Sequence, residues 1–226
     1  MTSSYQYTAV MVEPRKHKAI EFVLNNYLSC LDTNWCIKVM VGNHNVQYVN
    51  NIVEKLQESD RARVEVLNLR LNNLNSQTYS QFLGMPYFYS HIPTETFLVF
   101  QTDSMIVPQY KDKLNRFLQY EYVGAPWIFN NQVGNGGVSL RNKSKMLEII
   151  EKQGPIRCNE DIYFSRYQNC KKPNAAEARE FSVETIFYKE PFALHNCWKH
   201  ISKEDLEYYK KTVPGLTELI KLQAAE

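Results

Sequence analysis

Three short apolar runs separated by stretches of helical periodicity constrain this chain more than any other feature. Tyr7 to Val12 alternates and then runs apolar until Glu13-Pro14. A proline cannot donate to a sheet ladder, so the first strand ends there. Ile37 to Val41 is a second run, closed by Gly42-Asn43, and Val64 to Leu69 is a third. Between them lie one segment with His17, Ile20, Phe22, Val23 and Leu24 near its start and another with Val46, Val49, Ile52, Val53 and Leu56 in helical spacing. Strands that alternate with helices are joined by crossovers, which build a parallel sheet covered by helices. The expected fold is therefore α/β, with a Rossmann-like N-terminal half.

Further along, the pattern predicts a helix over Tyr79 to Tyr89 despite Pro86, a strand over Thr96 to Phe100, strand character over Tyr120 to Trp127, and a helix from Lys143 to Lys152 stopped by Gly154-Pro155. Asn159 stands where it could cap a helix running from Glu160 to Tyr167, with both acids in the first turn, where the dipole favours negative charge. Ser202 to Lys211 reads as a polar helix with acids early and lysines late, followed by an apolar segment over Leu216 to Leu222.

A length of 226 residues suits one generous domain over 1–226. Twenty-six Lys and Arg stand against twenty-four Asp and Glu, a formal charge of +2, so no global field points to nucleic acid or an acidic membrane. No stretch approaches the roughly 20 apolar residues of a membrane span, and Met1 to Gln6 lacks a basic segment followed by an apolar one. Five cysteines with no Cys-x-x-Cys spacing disfavour a disulfide framework and suit reduced thiols. These features lead us to expect a soluble, cytoplasmic protein.

The chemistry-bearing residues each have a sharp and a bland reading. Asp103 follows the apolar run Phe97 to Phe100 directly, where ligands sit in open α/β sheets, and a carboxylate there can hold a divalent cation that neutralises a diphosphate. The bland reading is a turn residue bonding backbone amides. Gly134-Asn135-Gly136-Gly137 precedes a strand rather than a helix, so it is neither a dinucleotide fingerprint nor a Walker loop. Its glycines could let a substrate approach the backbone, with Asn135 and Ser139 bonding sugar hydroxyls and Trp127 stacking nearby, or they could form an empty bulge. Arg141 could pair a phosphate or a surface acid. Glu160 and Asp161 point about 100° apart on a helix, so one can act as a general base while the other caps. His195 could be a second metal ligand or a core histidine. A rival zinc site from Cys158, Cys170, His195 and Cys197 has no known spacing.

Taken together, Val12-Glu13-Pro14-Arg15, Tyr79 to Leu83, Phe100-Gln101-Thr102-Asp103-Ser104, Val123 to Trp127, Gly134 to Asn142, Glu160-Asp161, Phe181 to Glu184 and His195-x-x-Trp198 resemble a family of glycosyltransferase-like proteins first catalogued as a domain of unknown function and related to the GT-A class. The resemblance covers Tyr7 to Trp198. It implies a metal-assisted, inverting transfer of a sugar from a nucleoside diphosphate sugar to a hydroxyl on a glycan or other acceptor, with Mn²⁺ or Mg²⁺ as cofactor. A nucleotide-binding half would span 5–107, an acceptor half 108–200, and C-terminal helices 201–226. Val12, Glu13, Arg15, Tyr79, Gln101, Thr102 and Asp103 would line the donor, with Glu13 and Arg15 beside the base or ribose. Asp103 and His195 would hold the metal, and Asp161 would be the base. Trp127, Asn135, Gly136, Gly137, Ser139 and Glu160 would form the acceptor side. Gln101 departs from a full Asp-x-Asp, which leaves a non-catalytic nucleotide-sugar or glycan-binding module as the alternative. Relatives of this type occur in microbes and large DNA viruses, so the host cytoplasm belongs to the same expectation.

Overall fold

A computed structural model describes residues 5–128 and 132–224. The segment Met1 to Ser4, read above for the absence of a leader, and the last two residues of the C-terminal segment lie outside the described residues.

In chain order the elements are β1 (Tyr7–Val12), α1 (Ile20–Cys30), β2 (Trp35–Val41), α2 (Val46–Glu54), α3 (Glu58–Arg61), β3 (Val64–Asn68), α4 (Ser76–Leu83), α5 (Pro86–Ser90), β4 (Thr96–Phe100), β5 (Ser104–Ile106), α6 (Leu114–Phe117), β6 (Tyr122–Val123), β7 (Val138–Asn142), α7 (Lys143–Gln153), α8 (Glu160–Ser165), α9 (Ala175–Phe181), β8 (Ser182–Val183), β9 (Ala193–His195), α10 (Lys203–Thr212) and α11 (Leu216–Ala224). The main sheet has the order β3-β2-β1-β4-β7-β6. Its first four strands are parallel, while β7 runs antiparallel to β4 and to β6. A smaller sheet, β5-β9-β8, lies beside it.

Strands buried on both faces explain the near-continuous apolar runs. Ala9, Met11, Val39 and Leu98 face one core, against α1, α2, α10 and α11. Val10, Val12, Met40, Phe97 and Val99 face the other, against α4, α5, α7 and α8. The chain winds from β1 outward through β2 to β3, then returns to place β4 on the far side of β1. Between β1 and β4 the winding direction reverses, and loops leaving their carboxyl ends diverge to form a crevice.

Several sequence expectations shift. The helix over Tyr79 to Tyr89 is two helices that part at Gly84-Met85, because Pro86 takes the first-turn position where its missing N–H costs nothing. The first of them begins earlier, at a capping box in which Asn75 accepts from the Thr78 amide and Thr78 accepts from the Asn75 amide. Strand pairing over Tyr120 to Trp127 is confined to Tyr122–Val123 and a lone bridge from Pro126 to Val133. Asn159 sits at the N-cap of α8 but its side chain makes no capping bond, and the helix ends at Ser165. The strands of the small sheet are two or three residues long, too short to print a period on the sequence. No described helix is long and apolar enough to cross a membrane.

Candidate active site

The crevice between β1 and β4 opens into a cleft of about 550 Å³ whose walls include Val12, Glu13, Arg15, Tyr79, Gln101, Thr102 and Asp103. All seven residues assigned to the donor from sequence thus meet in one cavity, although they come from three separate stretches of chain. Glu13 is the first residue past β1, and its buried carboxylate accepts from the Arg15 amide at 2.9 Å and from two nitrogens of the Arg15 guanidinium at 2.8 and 2.9 Å. Asn45 ties the strand ends together, donating to the carbonyls of Glu13 and Arg15 and accepting from the Gly42 amide. The loop over the cleft is therefore held by side chains on both sides before any ligand arrives.

Asp103 stands three residues past β4, beside the small sheet. Its carboxylate lies 3.4 Å from Nε2 of His195, whose Nδ1 lies 3.5 Å from Glu184. The short strands explain this meeting: β5 pairs with β9 so that Ser104 faces His195, and β9 pairs with β8, which ends one residue before Glu184. Burial alone would raise Asp103, but the adjoining imidazole outweighs it and holds the carboxyl below its ordinary value. Burial would lower His195, and here Asp103, Glu184 and Asp161 outweigh it and push the imidazole up. Glu184 and Asp161 are themselves raised, chiefly by burial.

A divalent cation suits this corner. Oδ1 of Asp103 is buried without a hydrogen-bond partner. Two donors each about 2.1 Å from one cation in adjacent octahedral positions stand about 3 Å apart, close to the 3.4 Å observed between Asp103 and His195. Glu184 stands on the Nδ1 side of the ring, so a cation here would meet Nε2. Among the described residues no group of three or more His, Cys, Asp or Glu side chains is arranged to hold a metal. Two protein donors would leave the remaining positions to phosphate oxygens and water, the usual arrangement for Mg²⁺.

The acceptor side differs from what the sequence suggested. A Cβ on Gly137 would come within 2.1 Å of His195 Nε2, and one on Gly136 within 2.3 Å of Glu160 and 3.0 Å of Asp161. On their Cβ side the glycines admit this chain's own side chains. Ser139 is fully buried, donating to the Gly136 carbonyl and accepting from Arg141 Nε, so it has no face for a sugar hydroxyl. Arg141 does not pair with a surface acid: it is fully buried, lies near the rings of Tyr122 and Phe164, and pairs with Glu160 at 2.8 Å. Glu160 is thereby an internal counter-ion, and burial drives its carboxyl up to about 6 against the pull of Arg141. Trp127 lies beside Gly134 as expected, but its ring packs on that glycine and is 6% exposed. Asn135 accepts from the Gly137 amide and bonds Glu184. Of the acid pair only Asp161 is partly exposed; its Oδ1 accepts from the Ile162 amide and it receives the Gly136 amide.

The zinc grouping does not assemble, since Cys158 is exposed while Cys170 and Cys197 lie in different cores. Lys199, Gln223 and Glu184 were given no role from the sequence. Lys199, exposed just after β9, and Gln223, which donates to the Thr102 carbonyl at 2.7 Å, both line the donor cavity. Glu184 completes the Asp103-His195 line. Lys199 and Gln223 reach the cleft only through the packing of C-terminal segments, and no local pattern announces that.

Fold and site together define a GT-A-type α/β architecture, with a crevice at the point where strand order reverses. Residues 63–195 match a family described as "Protein of unknown function (DUF5672)", and the chain belongs to that family. No curated protein matches it. Among solved structures, the glycosyltransferase GlyE of Streptococcus pneumoniae TIGR4 aligns with a TM-score of 0.59 and 11% identity over 96% of this chain and 62% of its own. The chain thus spans under two thirds of that protein's length. The galactosyltransferase LgtC, solved with donor and acceptor sugar analogs, gives a TM-score of 0.59 and 11% identity over 96% of this chain and 95% of its own. The mannosyltransferase PcManGT from Pyrobaculum calidifontis, in complex with GDP-Man and Mn²⁺, gives 0.55 and 10% over 76% and 55%. Likeness at such identities shows the fold.

Proposed function

We propose that this protein transfers a sugar from a nucleoside diphosphate sugar to a hydroxyl acceptor, with the donor in the β1/β4 cleft. The observation that carries this reading is the convergence of a polar cleft at the sheet's switch point with the carboxylate of Asp103 and Nε2 of His195, 3.4 Å apart and so near cation-ligand spacing. The fold supports it, because structures of that fold include transferases solved with GDP-Man and Mn²⁺ or with sugar analogs.

In this reading the loop of Glu13 and Arg15, braced by Asn45, receives the nucleoside, and Asp103 and His195 hold a divalent cation. That cation would supply charge stabilisation for the leaving diphosphate. Lys199, at the mouth of the same cleft, adds a second positive charge to the phosphates. Asp161 takes the proton of the acceptor hydroxyl. Its raised carboxyl makes it a stronger base than an ordinary aspartate. A single displacement assisted by that base inverts the anomeric centre.

The alternative, a module that binds the nucleotide sugar without turnover, draws on Gln101, which removes one carboxylate from the Asp-x-Asp position. Incubating the protein with UDP- and GDP-sugars, with and without Mn²⁺, separates the two. A transferase slowly hydrolyses the donor even without acceptor, passing the sugar to water and releasing the nucleoside diphosphate, and stabilises on donor binding, by about 2.7 kcal/mol at 100 times Kd. Stabilisation with no turnover under any acceptor would favour the binding module, and neither effect would remove both.

A further inference from the structure

A second cleft, of about 980 Å³, begins where α8 ends. Its walls include Ser165, Arg166, Gln168 and Lys172, and among the described residues no Asp or Glu lines it. Some surface cations are matched: Lys145 and Lys152 share Glu148, Arg116 pairs with Glu180, and Lys113 with Glu190. The two cations of this cleft stand together without such a partner. Arg166 is exposed and forms no ion pair with a described residue, while the Lys172 ammonium is held against the carbonyls of Ser165 and Tyr167 without a carboxylate partner. The Ser165 hydroxyl is buried and has no hydrogen-bond partner.

The position of this cleft links it to the reaction centre. Asp161 and Ser165 are four residues apart, so they share one face of α8 and lie about 6 Å apart along its axis. The glycine segment runs along that face: a Cβ on Gly136 would press on Asp161 and one on Gly134 on the Ser165 hydroxyl. A track of backbone therefore leads from the proposed base to the cationic cleft over roughly one helical turn, a distance of about one sugar ring.

We infer that the cleft of Ser165, Arg166 and Lys172 is an acceptor subsite for an anionic group, a phosphate or a carboxylate, borne on the sugar next to the reacting hydroxyl. This rests on the transferase reading given above. Arg166 and Lys172 supply the charge, and the buried Ser165 hydroxyl supplies a hydrogen bond that nothing in the protein uses.

With the donor cleft saturated by UDP or GDP and Mn²⁺, calorimetric titration with glucose 6-phosphate, glucuronate and glucose tests the subsite. Arg166→Gln is the variant of choice because the residue is exposed and bonds nothing, so the fold and nucleotide affinity stay as they are. Wild type should bind at least one of the two anionic sugars about tenfold more tightly than glucose, and Arg166→Gln should lose that preference. Which anion is preferred tells phosphate from carboxylate. Equal affinity for all three sugars, or a preference that survives Arg166→Gln, overturns the subsite while nucleotide binding leaves the transferase reading intact. Failure of both nucleotides to bind overturns that reading and the subsite with it.

Discussion

The two sides of the site are built in opposite ways. On the donor side, polar residues on loops past β1 and β4 line an open cleft, and their bonds, such as Glu13 to Arg15, run along the wall. On the acceptor side the polar residues turn inward: Arg141, Glu160 and Ser139 bond one another under the surface, and only Asp161 emerges. A similar density of motif residues thus serves contact in one place and support in the other. The buried pair fixes α8, and α8 carries Asp161. Removing a donor-side residue should therefore cost binding, and removing an acceptor-side one should cost the fold.

The largest expected effect is on turnover. Asp161→Asn should reduce kcat by about 10²–10⁴-fold while donor affinity stays near wild type. Steady-state kinetics beside a nucleotide titration would check it, and an equal loss in both would make Asp161 a binding residue.

Next comes stability. Arg141→Met leaves the Glu160 carboxylate buried without its counter-charge, which should cost about 3–5 kcal/mol at neutral pH. A carboxyl whose folded pKa lies above its unfolded value binds its proton more tightly in the folded state, so acidification through that interval stabilises the fold. Glu160 already sits near 6 with Arg141 present, and it rises further without it. The gap between variant and wild type in denaturant melts should therefore narrow as pH falls from 8 towards 6. A gap that widens would mean that the carboxylate is not what Arg141 compensates.

The intermediate case is Gly137→Ala. Its methyl group would meet the His195 ring, which must swing away from Asp103. The cost in stability should be about 1–3 kcal/mol, as for other overpacked sites. The enhancement of nucleotide affinity by Mn²⁺ should drop by more than the affinity measured without metal, read from paired titrations.

The same contrast explains how much the sequence disclosed. β1, β2 and β4 were legible because strands buried on both faces must be largely apolar, and a polar residue or glycine then marks where each stops; β3, at the sheet edge and only half-buried, kept enough of the run to be read. That rule also pointed to the cleft residues, since Glu13 and Gln101 to Asp103 follow the ends of the two strands that flank the crevice. The packing of the glycine segment was not legible, because a glycine looks the same whether a sugar or an imidazole approaches it. Arg141 and Glu160 lie nineteen residues apart and become partners only when β7 and α8 pack, so their charge read as surface charge. Glu184, Lys199 and Gln223 arrive through three-residue strands and a C-terminal helix, where periodicity carries no signal about neighbours.

The account depends most on the cation-assisted nucleotide cleft. Calorimetric titration of wild type and Asp103→Asn with UDP and GDP, each with and without Mn²⁺, reads it directly. One of the two nucleotides should bind wild type with unit stoichiometry and at least tenfold more tightly with Mn²⁺, and Asp103→Asn, still folded, should keep the metal-free affinity and lose the enhancement. An enhancement that persists in Asp103→Asn, or the absence of binding by either nucleotide, would contradict the claim.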